Sequence, residues 1–180
     1  MILPWPVGAS AKRALLQRVL MLAMLPVLAM AAPAHARDGL GIFGKWGAFR
    51  DSGVARCYAI AMAEPVAGKR TEFQPYATIG HWPKRSLRNQ VHFRLSRRIA
   101  AGDRVALIVG GRKFAMVGGG ADAWAADPRV NAEVVAALRS ARTMTITARG
   151  ADGKTIRDSY ALEGAATAID AALVGCSGMR

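Results

Sequence analysis

Twelve acidic residues, three histidines and two cysteines are few for a chain of 180 residues, and each scarcity removes a class of chemistry. The cysteines show no C-x-x-C spacing, which argues against a zinc site and against a thioredoxin-like redox centre. His35 falls in the N-terminal leader described below, so His81 and His92 are the only histidines of the remaining chain, and neither belongs to an H-E-x-x-H motif. No G-x-S-x-G elbow occurs, and Ser86 and Ser96 lack a visible activating partner. "VGGRKF" and "VGGGAD" do not continue as phosphate-binding loops, so hairpin or linker use is expected of both. Asp158 and Glu163 read as surface charges, and His92 as a solvated histidine on the polar side of a strand. No enzymatic activity, no metal centre and no cofactor is therefore expected.

What the chain has in excess is an apolar N-terminus and positive charge. Lys12, Arg13 and Arg18 precede an apolar run from Val19 to Ala32, and Ala34, His35 and Ala36 form an A-x-A cleavage site, so residues 1–36 read as a secretory signal cleaved near Ala36. The apolar run, about 14 residues, is shorter than the roughly 20 that a membrane-spanning helix needs. Residues 37–180 are then expected to be periplasmic or secreted, with no integral membrane span. Their 144 residues (180 − 36) suit one domain, and their net charge is +10, from 25 − 3 = 22 cations against 12 acids. Such a charge usually suggests nucleic acid. An export signal points elsewhere, to lipopolysaccharide, anionic phospholipid, another anionic envelope polymer, a host surface or an envelope protein, with no nucleic acid.

In an oxidising compartment the pair Cys57 and Cys176 is most simply a disulfide. A catalytic thiol, the rival reading, needs a nearby base and a reason to stay reduced. Between the cysteines the chain alternates short strand-like runs with turn signals. "ARCYAIAMA" and "YATIGHW" read as strands, the second with Ala77, Ile79 and His81 on one face. "NQVHFRLSR" is the clearest alternation, with Val91, Phe93 and Leu95 on one face and His92, Arg94 and Ser96 on the other. "RVALIVG" and "KFAMVG" form a hairpin through Gly110 and Gly111, and Gly118 to Gly120 read as a loose connection. Asp127 and Pro128 open a helix whose inner face is Val130, Val134, Leu138 and Ala141. "TMTITARG" and "TIRDSYAL" flank an Asp152-Gly153 turn, and a last helix carries Ile169 and Leu173 inward. The expected class is α+β: an antiparallel β-sandwich-like domain with one or two packed helices and one disulfide.

The order of these features, from "GKWGAFRDSGVARCYA" through "FRLSR" and "RVALIVGGRKFAMVG" to "YALEGAATAIDAALVGC", resembles the invasion-associated locus B family of small exported bacterial proteins. The resemblance covers nearly all of residues 37–180. The interval from Trp46 to Cys57 is longer than the family's usual spacing. The resemblance implies an exported β-sandwich-like domain without an established catalytic reaction; a role in invasion does not follow from it.

One stretch, "HWPKRSLRNQVHFRLSRR", concentrates the remaining chemistry. Lys84, Arg85 and Arg88 precede the strand, Arg94 lies on its polar face, and Arg97 and Arg98 end it. They read either as a solvated edge guarded by charge or as an anion-binding patch whose guanidinium forks engage phosphate or carboxylate. Trp82, beside a proline turn and two cations, suits a lipid or sugar interface. The expected role is a non-enzymatic envelope or surface-associated protein that binds an anionic polymer, or alternatively a structural or protein-docking module.

Overall fold

A computed structural model describes residues 37–66, 68 and 70–179; the expected leader, residues 1–36, lies outside them. The elements run β1 (Asp38–Phe43), β2 (Trp46–Asp51), β3 (Arg56–Met62), β4 (Tyr76–Trp82), β5 (Leu87–Arg94), β6 (Val105–Val109), β7 (Arg112–Gly119) and β8 (Asp122–Ala125). Helix α1 (Pro128–Leu138), β9 (Thr143–Arg149), β10 (Thr155–Ala161) and α2 (Ala165–Gly175) complete the chain. The strands pair antiparallel in one open sheet of order β1-β2-β3-β4-β5-β8-β7-β6-β9-β10. They form one hydrogen-bonded series rather than two separate sheets.

Alternation decides the two faces, because successive side chains of a strand point to opposite sides. Ala59 and Ala61 of β3, Ala77 and Ile79 of β4, and Val91 and Phe93 of β5 are buried inward. Leu107 of β6, Met144 and Ile146 of β9, and Ile156 and Tyr160 of β10 are buried with them. The sheet curls far enough for Phe93 to meet Tyr160, ring centres 5.9 Å apart. Trp46 is fully buried and its indole N–H donates to the Ala161 carbonyl at 2.9 Å, while Glu64 N–H donates to Ser159 O at 2.7 Å. These bonds bring β10 near the chain around β2 and β3 without closing the ladder.

The helices sit where their sequences direct. Asp127 caps α1, its Oδ1 accepting from Val130 N–H at 2.8 Å, and Pro128 occupies the first turn, where no donor is lost. Val134 and Leu138 pack inward, joined by Val135 and Ala137. In α2 the buried stripe is Ala165, Ala168, Ile169 and Ala172, ending on Cys176; the small side chains let the helix approach the alanine-rich inner face of β2 to β4. Leu173, expected inward, is 37% exposed because it lies at the edge of that stripe. The Cys57–Cys176 disulfide is present, with Cα atoms 5.8 Å apart across 119 residues, and ties α2 to β3.

Three local expectations change. Gly118 and Gly119 belong to β7 rather than to a loose connection, and the short segment Asp122–Ala125 after them is β8. A side chain at Gly118 would meet Val105 and Ile99 within 2.7 Å, so this glycine serves close packing rather than slack. Ser96 is buried rather than on the polar face, since β5 ends at Arg94 and the chain turns inward, where Ser96 N–H donates to Asp158 Oδ2 at 2.8 Å. Asp158 is accordingly buried, not a surface charge. No helix among the described residues is long and apolar enough to cross a membrane.

Candidate functional site

β5, the turn before it and the bend after it carry all six cations singled out in the sequence. Trp82 ends β4, Pro83 starts a single 3-10 turn over Pro83–Arg85, and Ser86 closes it with φ +53°. Lys84 and Arg85 project from this turn and Arg88 follows on the first residues of β5. Among the described residues no carboxylate pairs with any of these three.

The other three are matched one to one by acids. Arg94 Nη1 meets Asp122 Oδ2 at 2.6 Å, with its guanidinium stacked 4.2 Å from the Phe73 ring centre. Arg97 Nη1 donates to Asp152 Oδ2 at 2.9 Å and its Nη2 to the Arg70 carbonyl. Arg98 Nε donates to Glu72 Oε1 at 3.1 Å. Sequence distance hid these partners: Asp122 arrives on β8, Asp152 on the β9–β10 turn, and Glu72 on the segment before β4. The six residues thus divide into an unpaired group at the start of β5 and a paired group at its end.

The histidines sit on opposite faces. His81 is buried beside α2; its Nδ1 accepts from Asn89 N–H at 3.2 Å and its Nε2 has no hydrogen-bond partner. Burial lowers its pKa below the ordinary 6.5, opposed by the Ile169 backbone and reinforced by the Arg88 charge. His92 lies on the outer face, between the Tyr76 ring at 5.9 Å and the Trp124 ring at 5.2 Å. Its Nε2 is 3.0 Å from Asp122 Oδ1, and its Nδ1 is 3.5 Å from Thr78 Oγ1. Burial again dominates and lowers the pKa, although Asp122 pulls the other way. Asp122 is shared with Arg94, so it serves as the hub of a surface ion cluster rather than a carboxylate reserved for the histidine.

Two depressions border these residues, and a third lies apart from them. One of about 550 Å³ lies between β5, β8 and α1, lined by Leu87, Arg88, Val91, Trp124 and Asn131. Asn131 closes the strand edge there, its Oδ1 accepting from Val91 N–H at 2.9 Å and its Nδ2 donating to Asn89 O at 2.8 Å. A second, about 720 Å³, opens beside the disulfide and is lined by His81, Arg88, Leu173, Val174, Cys176 and Met179. Sequence reading missed the third, a trough of about 930 Å³ on the outer face of β6, β7 and β9, where Arg104, Lys113 and Arg149 converge over Ala106, Ala115 and Thr147. Their outward register positions are readable from alternation, but the β7-β6-β9 order that unites them is not. Among the described residues no cluster of histidine, cysteine or acid is arranged to hold a metal ion. Comparison with family models, with curated proteins and with solved structures gives no match.

Proposed function

We propose that this chain is an exported, non-enzymatic envelope or surface-associated protein of the locus B type, built on a sandwich-like scaffold, that binds an anionic envelope or host polymer. Cleavage near Ala36 releases it into the periplasm or the medium. The observation that carries the reading is the set Lys84, Arg85 and Arg88, three cations within five residues that no described carboxylate neutralises. Cations already satisfied by acids gain little from a second anion, whereas unpaired ones exchange only water and counterions for it. The first half of the anion-binding stretch is therefore its working part, and Arg94, Arg97 and Arg98 serve the fold.

Binding to lipopolysaccharide and to heparin at low and moderate salt tests this. A Lys84→Gln/Arg85→Gln/Arg88→Gln variant is expected to bind at least about tenfold more weakly, with a shallower dependence on salt, in line with the loss of up to three ionic contacts. Equal binding by that variant and the unmodified protein overturns the reading.

A second reading, a protein-docking module, is favoured by one feature: Leu87, Leu173 and Val174 are 39%, 37% and 70% exposed and line the same depression as Arg88. Exposed apolar residues grouped in this way mark interaction surfaces. Capture of one stoichiometric envelope protein, lost in a Leu173→Ser/Val174→Ser variant and insensitive to salt, is the outcome that would select it.

A further inference from the structure

We propose that the outer face of β3, β4, β5 and β8 docks an acidic sugar chain, with Arg56 holding a carboxylate or sulfate and the surrounding aromatic rings receiving sugar faces. The proposal rests on the reading of the protein as a polyanion binder, and it adds the ligand class and an anchoring cation, Arg56, outside the six singled out in the sequence.

Arg56 differs from the arginines of the paired group. Its guanidinium carbon lies 4.3 Å from the Tyr58 ring centre and 5.7 Å from that of Trp82, no described carboxylate pairs with it, and its buried Nε has no hydrogen-bond partner. Stacking on rings fixes the plane of a guanidinium while leaving its N–H fork free for a planar, bidentate anion. Gly80, opposite Tyr58 on β4, makes this arrangement fit: a side chain there would come within 2.5 Å of the Trp82 indole, so the ring lies over the bare backbone. Phe49 extends the cluster, stacked 5.8 Å from Tyr58.

The rings continue across the sheet. Tyr76, His92 and Trp124 stand on β4, β5 and β8 with centres 5.9 and 5.2 Å apart, and Trp124 is 36% exposed. Neighbouring strands repeat at about 5 Å, a spacing comparable with one hexose unit, so successive sugars meet successive strands. Thr78, Gln90 and His92 lie on the same face and offer hydrogen bonds to hydroxyls between the stacked rings. A ring-bearing anion uses all three elements: the rings, the hydrogen-bonding groups and the unpaired guanidinium. A linear polyphosphate uses only the last, and an acyl chain none of the polar ones.

Equilibrium titrations followed by tryptophan fluorescence, with the exported protein as recovered from cells, separate these cases. The probes are a heparin octasaccharide, linear polyphosphate of equal charge, neutral dextran and phosphatidylglycerol vesicles. The octasaccharide is expected to bind at least tenfold more tightly than polyphosphate. Arg56→Gln and Trp124→Ala should each cost it about tenfold while leaving polyphosphate binding unchanged, and Arg56→Lys, which keeps the charge but loses the fork, should recover only part of the loss. Melting curves verify that the variants remain folded; Trp124 is a surface position and serves if Arg56→Gln unfolds. Equal affinity for octasaccharide and polyphosphate, tighter binding to vesicles, or octasaccharide binding indifferent to both variants overturns the sugar platform. If polyphosphate still binds through Lys84, Arg85 and Arg88, the polyanion reading survives that failure; if no polyanion binds the unmodified protein, both fall.

Discussion

The two ends of β5 carry the same residue types and meet opposite fates. Around Lys84 to Arg88 the chain makes a tight turn next to α2 and forms no ion pair among the described residues, while around Arg94 to Arg98 three acids converge from three distant segments. The end without ion pairs is instead held covalently: Cys57 is paired across the ladder with His81, and Cys176 shares a depression with His81 and Arg88. A run of arginines thus says nothing about function until the partners of each are known. Here one cluster is left without carboxylate partners while the adjacent one is matched, a division that the proposed binding role uses.

The largest expected effect comes from breaking the covalent clamp. Closing a loop of 119 residues contributes about 5 kcal/mol in the chain-entropy model, and losing a native disulfide typically costs roughly 2 to 5 kcal/mol. A Cys57→Ala/Cys176→Ala variant should therefore show a strongly lowered urea midpoint. If the clamp serves the unpaired end, amide exchange should accelerate first in α2, β3 and β4 and last where Arg94 and Asp122 bind β5 to β8. Uniform acceleration would remove that distinction.

A smaller effect compares the two arginine groups directly. Replacing Arg94, Arg97 and Arg98 by glutamine removes three ion pairs, each worth about 0.2 to 1 kcal/mol at a partly exposed site, and Arg98, the most exposed of them, adds least. The expected loss is about 1 to 2 kcal/mol with polymer binding nearly intact. The Lys84, Arg85 and Arg88 triple should do the reverse, leaving the melting temperature unchanged and weakening binding. Thermal melts and binding isotherms of both triples decide it; equal destabilisation by the two would show that the pairing seen around β5 has no energetic counterpart.

Much of this arrangement was legible in the sequence, and the parts that were not share a cause. β4, β5, β6, β7, β9 and β10 announce themselves by alternation bounded by turn residues, and α1 by its Asp127-Pro128 start. The cysteine pair followed from the count and from the compartment expected of the chain. β8 escaped because four residues after three glycines carry too little pattern, and its insertion between β5 and β7 cannot be derived from local signals. That insertion delivers Asp122 to Arg94 and His92. Likewise Asp158 looked like an outward charge, yet it occupies the inward register beside Ile156 and Tyr160, where the Ser96 amide meets it. Alternation assigns faces correctly here; reading chemistry before register misplaced the aspartate. The Arg56 site was invisible for the same reason, since its rings come from β3 and β4 and only Gly80 lets them meet.

The smallest effect concerns the two histidines and sharpens the comparison through pH. Both have pKa values held below the ordinary 6.5, chiefly by burial. Above about pH 6.5 each is neutral in the folded and the unfolded chain and contributes no pH dependence. Below it the unfolded chain takes up protons that the folded chain refuses, so stability falls with pH until the folded-state pKa is reached. The neighbours act differently at the two ends: at His81 the Ile169 backbone opposes the depression and the unpaired Arg88 reinforces it, with no carboxylate in support, whereas at His92 the Asp122 carboxylate opposes it against Arg94 and Arg56. His81→Gln should therefore flatten the fall in urea midpoint between pH 7 and pH 5 more than His92→Gln does. A larger flattening from His92→Gln would mean that Asp122 is fully occupied by Arg94 and gives the imidazolium no support, which would make the paired cluster a closed unit of arginine and aspartate with the histidine outside it.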